Sequence, residues 1–235
     1  MCKSSNIQIL YEDNHLIAVN KTCSDLVQGD KTGDIPLPEK VKAYLKEKYN
    51  KTGNVFCGVT HRLDRPTSGV VVFAKTGKAL ARMNELFKSH EIKKTYWAIV
   101  KNAPEKAEDK LVHYLVRNEK QNKSYACDTE RKDAKKAILS YKTIAKSDNY
   151  TLLEINMETG RHHQIRCQLA KTGSAIKGDL KYGFPRSNPD GGICLHARRI
   201  EFTHPVSKEK ISITAPVPDD NLWQAIAKLS ESGFF

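Results

Sequence analysis

The chain has 235 residues, 39% apolar and 28% charged, with a formal net charge of +12. That composition supports one or two cored domains and excludes a disordered chain, and no apolar run approaches the ~20 residues that span a bilayer. A cation excess this large attracts phosphate backbones by charge and counterion release.

The opening, MCKSSNIQILYED, has no apolar signal segment before acidic residues arrive, which points to a cytoplasmic protein. IQILYEDNHLIAVNK (7–21) reads as two short strands around an Asp-Asn turn. PLPEKVKAYLKEKYNK (36–51) has prolines suited to a helix start, then Val41, Tyr44, Leu45 and Lys48 at helical spacing. VFCGVTHRLD (55–64) reads as a strand leading into the Pro66–Gly69 turn, and VVVFAK (70–75) as the strand after it. KALARMNELFKS (78–89) puts Leu80, Met83, Leu86 and Phe87 on one helix face, most simply a core stripe. KKTYWAIVKN (93–102), KLVHYLVRN (110–118) and KKAILSYKTIAKS (135–147) alternate as strands do, and NYTLLEINMETG (149–160) is a further strand ending at a glycine. GRHHQIRCQLAKTG (160–173) has helical spacing and a terminal glycine cap. CLHARRIEFTHP (194–205) and EKISITAP (209–216) form a last strand pair, and DDNLWQAIAKL (219–229) opens with acids like a closing helix. With no repeat and no long linker, residues 1–235 read as a single α+β domain with a mixed, largely antiparallel sheet and flanking helices.

Six cysteines (2, 23, 57, 127, 167, 194) occur without a CxxC pair, as reduced thiols of a cytoplasm would. Neither a zinc site nor a disulfide framework is expected. Lysine-rich segments at 40–51, 93–94, 117–123 and 131–136 favour nucleic acid over an anionic membrane, since no long basic amphipathic helix carries bulky apolar anchors.

Three constellations could carry chemistry. Asp64 stands between an apolar segment and a Thr-Ser-Gly turn, with Arg62 and Arg65 on either side. A turn aspartate commonly caps its loop or pairs with such an arginine. A carboxylate held ionised by adjacent cations could equally act as nucleophile or base. In GRHHQIR (160–166), a helix would bring Arg166 to the side of His162 and His163, a face suited to phosphate or base contact; adjacent histidines lack the HxxxH spacing of a metal pair. Cysteine–histidine hydrolysis through Cys57 with His61, or Cys167 with His163, lacks an orienting third group and an oxyanion loop. Tyr96, in an alternating strand, fits a cross-strand aromatic, and in a cleft it could stack on a nucleobase.

HRLDRPTSGVVVFAKT, KKTYWAIV, ETGRHHQIRCQLAKTGSAIKGDLKYG and LHARRIEFTHPVSKEKISITAPVPDD, in that order and spacing, resemble the RNA pseudouridine synthases of the large-subunit-ribosomal "A" type, from Ile7 to about Trp223. The resemblance implies a mixed-sheet fold with a central catalytic cleft, no cofactor, and isomerisation of uridine to pseudouridine in structured RNA, rRNA or tRNA. It implies that Asp64 is the essential aspartate, that Tyr96 stacks on the target uracil and assists proton removal from C5, and that Arg166 pairs with the aspartate. It further implies that Arg62 enters the RNA where the flipped base has left and that Leu169 lines the uracil pocket. Further RNA contacts are expected from His61, Arg65, Thr67, Arg161, His162, His163 and Gln164. A monomer is expected, without an obligate protein partner, a membrane, a metal or a separate N-terminal RNA-binding domain.

Departures from the family pattern fall at Thr22 in a polar 20–33 loop, where an NKP-type turn is usual, and at Gln168 and Ala175, where histidine and proline are common. Two other functions compete. A catalytically inactive RNA-binding module would not need a carboxylate in the path of an anionic ligand. A nucleoside hydrolase acting on a small neutral substrate would gain little from so positive a field.

Overall fold

The computed structural model describes residues 7–29 and 32–232; the first residues, where a signal segment would lie, and residues 30–31 of the polar loop fall outside them. In chain order come β1 (Gln8–Glu12), β2 (Leu16–Lys21), α1 (Leu37–Lys48), β3 (Gly58–Val59), β4 (Ser68–Ala74) and α2 (Gly77–Lys88). Then follow β5 (Lys93–Val100), β6 (Glu108–Asn118), β7 (Lys123–Cys127), β8 (Lys135–Lys146), β9 (Thr151–Met157) and α3 (Gln164–Lys171). A short 3-10 turn (Leu180–Tyr182), β10 (Leu195–Thr203), β11 (Lys210–Thr214) and α4 (Asn221–Ser232) complete the chain. The fold is α+β, and among the described residues no helix is long and apolar enough to cross a membrane.

The chain divides into two compact units, Met1–Ile92 with Ala197–Pro216, and Lys93–His196 with Val217–Phe235. In the first, β2 pairs antiparallel with β1 on one side and β4 on the other, β10 follows β4, and β11 pairs antiparallel with β10. All seven residues of β4 are buried, as expected of a central strand covered on both faces. Glu12 ties three pieces together. Burial raises its pKa, but hydrogen bonds from Lys48, Lys75 and Tyr49 outweigh that and hold it at about 2.

The strand expected over 55–64 is confined to β3. Its ladder registers Gly58 with Ala74 and Val59 with Phe73, and then stops. The next positions answer β4 with side chains: the Thr60 hydroxyl donates to the Val72 carbonyl (2.7 Å), and the Val72 N–H donates to His61 Nε2 (3.1 Å). The main chain of 60–67 is thereby freed to form a loop. The α2 stripe is also less buried than its spacing implies: Ala79 and Met83 are fully buried, while Leu80, Leu86 and Phe87 are half-exposed, with the Phe87 ring 4.9 Å from His61.

Gly69, the second residue of β4, lies at φ +114°, and a Cβ there would run into the backbone of Ala197 in β10. Only glycine meets both demands. Gly69→Ala is expected to cost about 3 kcal/mol, read as a lowered denaturant midpoint at unchanged m-value. An unchanged midpoint would show that β4 and β10 part at no cost.

In the second unit the order is β5-β9-β8-β6-β7, every pairing antiparallel. Strand β7 (KSYAC) has only five residues and starts where the lysine-rich segment 117–123 ends, too short a run for its alternation to be read. The helix expected over 160–173 begins only at Gln164, because His163 adopts a left-handed conformation (φ 53°). The Gln164 side chain folds back to cap the entry, its Oε1 accepting from the Arg161 N–H (2.9 Å) and the Thr159 hydroxyl (2.8 Å). Gly173 closes the helix at φ +81°. Asp220 Oδ1 accepts the N–H groups of Leu222 and Trp223 at the start of α4.

Candidate active site

Each unit carries one group of the expected residues. In the first, Asp64 is half-buried at the head of a turn closed by the Thr67 N–H donating to the Asp64 carbonyl (3.0 Å). Leu63 anchors the segment in the core, so its charged neighbours emerge at the surface. Arg62 is exposed and donates to Gln28 (2.6 Å); Arg65 reaches Asp34 (2.6 Å) and Thr32 (3.4 Å). Both arginines thus engage the polar loop, whose described part is held by side-chain contacts. Thr67 is buried, and His61 is committed to the β4 backbone.

Beneath this turn lies Lys21, 1% exposed, which the sequence patterning did not single out. Its ammonium donates to the carbonyls of Thr22 (2.9 Å), Arg65 (2.8 Å) and Thr67 (2.7 Å), so all three protons are used. Burial lowers its pKa to about 8, against attraction from Asp25 and Asp64. A lysine ending the buried strand LIAVNK was the available signal. Thr22, which departs from the family pattern, has its own logic: its N–H (3.0 Å) and hydroxyl (2.7 Å) both donate to Asp25, which also holds Lys40 (2.6 Å). A proline at 22 could supply neither donor.

In the second unit Tyr96 sits half-buried on β5, opposite Ile155 of β9, which is in turn opposite Tyr141 of β8. Cross-strand pairs share a face, so Tyr96 belongs to an apolar row on one side of the sheet. Its neighbours Thr95 and Trp97 alternate to the other side, bonding Asn156 and Glu154.

Arg166 is 5% exposed and held bidentately by Asp179, from Nε (2.7 Å) and Nη2 (2.9 Å). Its guanidinium carbon lies 5.1 Å from the centre of the Tyr182 ring. The Tyr182 hydroxyl accepts the Ser124 N–H (2.8 Å) and meets His163 Nδ1 (3.0 Å), and burial raises its pKa. His162 stacks on His163 with ring centres 3.8 Å apart and meets the Ser124 hydroxyl (2.9 Å) and Asn122 (3.1 Å). The two histidines therefore precede the helix that carries Arg166, and they are brought to it through Tyr182 instead of by helical spacing. Arg161 is exposed, its Nε on the Lys136 carbonyl (3.0 Å), while Gln164 is buried. Leu169 is fully buried in the core cluster with Ile155 and Tyr141. Gln168 is buried too, its amide donating to the carbonyls of Leu111 and Ala137 and to His113 Nδ1.

Asp179 and Tyr182 were not picked out as site residues from the sequence. The signal existed for the first: it is the only acid between Glu158 and Asp190, in a stretch that also carries Arg161 and Arg166. Chemically, the two groups offer a carboxylate on a braced turn and a rigidly oriented arginine, with a tyrosine ring on the sheet.

Residues 15–171 match the family model for RNA pseudouridylate synthase. The tRNA pseudouridine synthase C of Vibrio cholerae serotype O1 is 32% identical over 97% of this chain and 96% of its own length. The ribosomal large subunit pseudouridine synthase D of Xanthomonas campestris pv. campestris is 32% identical over 91% of this chain and 67% of its own. Among solved structures, human RNA Pseudouridylate Synthase Domain Containing 4 shares the fold with a TM-score of 0.78 at 21% identity, covering 95% of this chain and 93% of that one. With the family model matched over more than half its length, the chain belongs to the RNA pseudouridylate synthase family.

Proposed function

We propose that this enzyme isomerises a uridine of structured RNA to pseudouridine, with tRNA ahead of rRNA as substrate. The relative matched over nearly the full length of both chains is named for tRNA, whereas the ribosomal one is matched over about two thirds of its length.

The half-buried carboxylate on a turn whose backbone is held by a buried ammonium supports the reading most directly. Isomerisation breaks N1–C1′, turns the ring and joins C5–C1′, with no net redox change and no hydrolysis. Asp64 is the group suited to start it, attacking the uridine or its ribose. A uridine reaches such a group only once it has left its stack, which gives Arg62 a role in filling the vacated place and Tyr96 a role in stacking on the uracil. Tyr96 also assists removal of the C5 proton. The resemblance makes Arg166 the cation that pairs with the aspartate. The remaining expected contacts, Arg65, Arg161 and His162 among them, serve to hold the RNA backbone. No cofactor is required by this chemistry, and the enzyme is proposed to act as a monomer in the cytoplasm.

The test is tritium release from unmodified tRNA and rRNA transcripts labelled at uridine C5, since that hydrogen leaves whenever the new carbon–carbon bond forms. Release is expected from tRNA at substoichiometric enzyme. Release from neither transcript at stoichiometric enzyme would overturn the assignment.

A further inference from the structure

The antiparallel register of the second unit gives β6, β7 and β8 two faces of different character. Leu111, His113 and Leu115 turn inward; Leu115 packs with Ala137, Cys167 of α3 and Tyr182. The intervening Val112, Tyr114 and Val116 point to the opposite face. Val112 registers with Ile138, Tyr114 with Lys136, Val116 with Tyr125, and Asn118 with Lys123. Val112 is 43% and Tyr125 44% exposed, and Tyr114, Val116 and Ile138 are half-buried outside both core clusters of this unit.

The charges around this apolar stripe are one-sided toward the hairpin. Lys110, at the far end, is neutralised by Glu158 (2.7 Å). Lys123 and Lys136 have no carboxylate partner among the described residues. The Lys123 ammonium lies 5.4 Å from the centre of the Tyr125 ring and 5.1 Å from that of Tyr182, so it straddles the β7 edge between the exposed stripe and the Arg166 cluster. The hairpin tip is also braced, with Lys181 donating to the carbonyl of Asn122 (3.0 Å) and His162 meeting its side chain.

We propose that this face of β6, β7 and β8 is a second RNA-binding surface, on which unpaired nucleotides stack on Tyr114 and Tyr125 while Lys123 and Lys136 neutralise their phosphates. The inference rests on the RNA substrate proposed above. A sheet surface with one exposed and one half-buried tyrosine beside cations suits single-stranded RNA, because every base has a stackable face and every linkage carries a negative charge. Self-association through the same face would bring the unneutralised lysines of two copies together, so charge complementarity selects the polyanion. By register Tyr96 lies on the other side of this sheet from the stripe. The RNA strand therefore continues past the β7 edge, where Lys123 sits, and extends the footprint beyond the modified nucleotide.

The experiment uses the full chain with two probes, a short oligouridylate and the C5-tritiated tRNA transcript. Tyr114→Ala/Tyr125→Ala is expected to weaken oligouridylate binding about tenfold or more, with Tyr125→Phe retaining it. Lys123→Ala/Lys136→Ala should flatten the dependence of log K on log salt by about two contacts. On tRNA, KM should rise for both pairs while kcat at saturation stays at the parent value. Unchanged oligouridylate affinity in the tyrosine pair, with circular dichroism showing an intact fold, would overturn the proposal. So would a concentration-dependent dimer that Tyr125→Ala dissolves, since the occupant would then be a second copy. Should the parent protein bind oligouridylate but release no tritium, the catalytic assignment fails while the binding arm still decides this one.

Discussion

Asp64→Asn is expected to abolish isomerisation and leave the fold and RNA binding in place: tritium release from C5-labelled RNA should fall by at least about 10³-fold. The swap is nearly isosteric, and the turn it heads is closed by main-chain groups, the Thr67 N–H on the Asp64 carbonyl, which the substitution does not touch. Lys21 continues to hold the carbonyls of Arg65 and Thr67 from below. A half-buried side chain with these supports should change stability by no more than about 1 kcal/mol. Removing a negative charge from a site approached by a polyanion favours binding if it changes it at all. What asparagine cannot supply is the carboxylate proposed to start N1–C1′ cleavage. Affinity measured in parallel at fixed salt separates the two functions. Tritium release at the parent rate would make Asp64 a loop cap; joint loss of release, binding and thermal transition would make it a structural residue.

Asp179→Ala strips the buried Arg166 of its bidentate carboxylate and is expected to be the most destabilising single change in the second unit. Asp179 is 1% exposed and Arg166 5%, so a guanidinium that loses this carboxylate has little water to replace it. Breaking such a pair costs about 3–5 kcal/mol. The Tyr182 ring beneath the guanidinium, and the Ser124 and His163 bonds that fix that ring, offer no negative charge in place of the Asp179 carboxylate. We expect Asp179 to be a positioning residue: in the variant, at a temperature where it is still folded, kcat falls and KM changes little. Arg166→Met/Asp179→Ala removes both charges and should recover most of the stability, as replaced buried pairs often do, without recovering activity. A purely structural role predicts instead that the folded Asp179→Ala protein keeps the parent kcat. That result would remove Asp179 from the site.

The central strand β4 and the strands β8 and β9 were legible in the sequence, because apolar runs and alternation are local properties that survive in any tertiary setting. So were Tyr96 on a strand, Asp64 at the head of a turn and Gly173 after a helix, each fixed by residues within a few positions. What the sequence patterning missed depends on what comes back to meet the chain. Strand 55–64 ends early because Thr60 and His61 present side-chain donors and acceptors to Val72, 12 and 11 residues away. Lys21 looks like a surface lysine until the carbonyls of residues 65 and 67, 44 and 46 positions on, close over it. Helical spacing from 160 gave the wrong geometry for His162 and His163, since one left-handed residue resets every angle after it. Asp179 and Tyr182 gained their place around Arg166 through a loop, where no periodicity exists to be read. Composition and spacing determined that this chain is a basic α+β protein and where its motifs lie. Tertiary structure alone decided which buried charges meet, because a buried ion must find its counter-charge wherever the chain returns, and sequence separation does not limit that return.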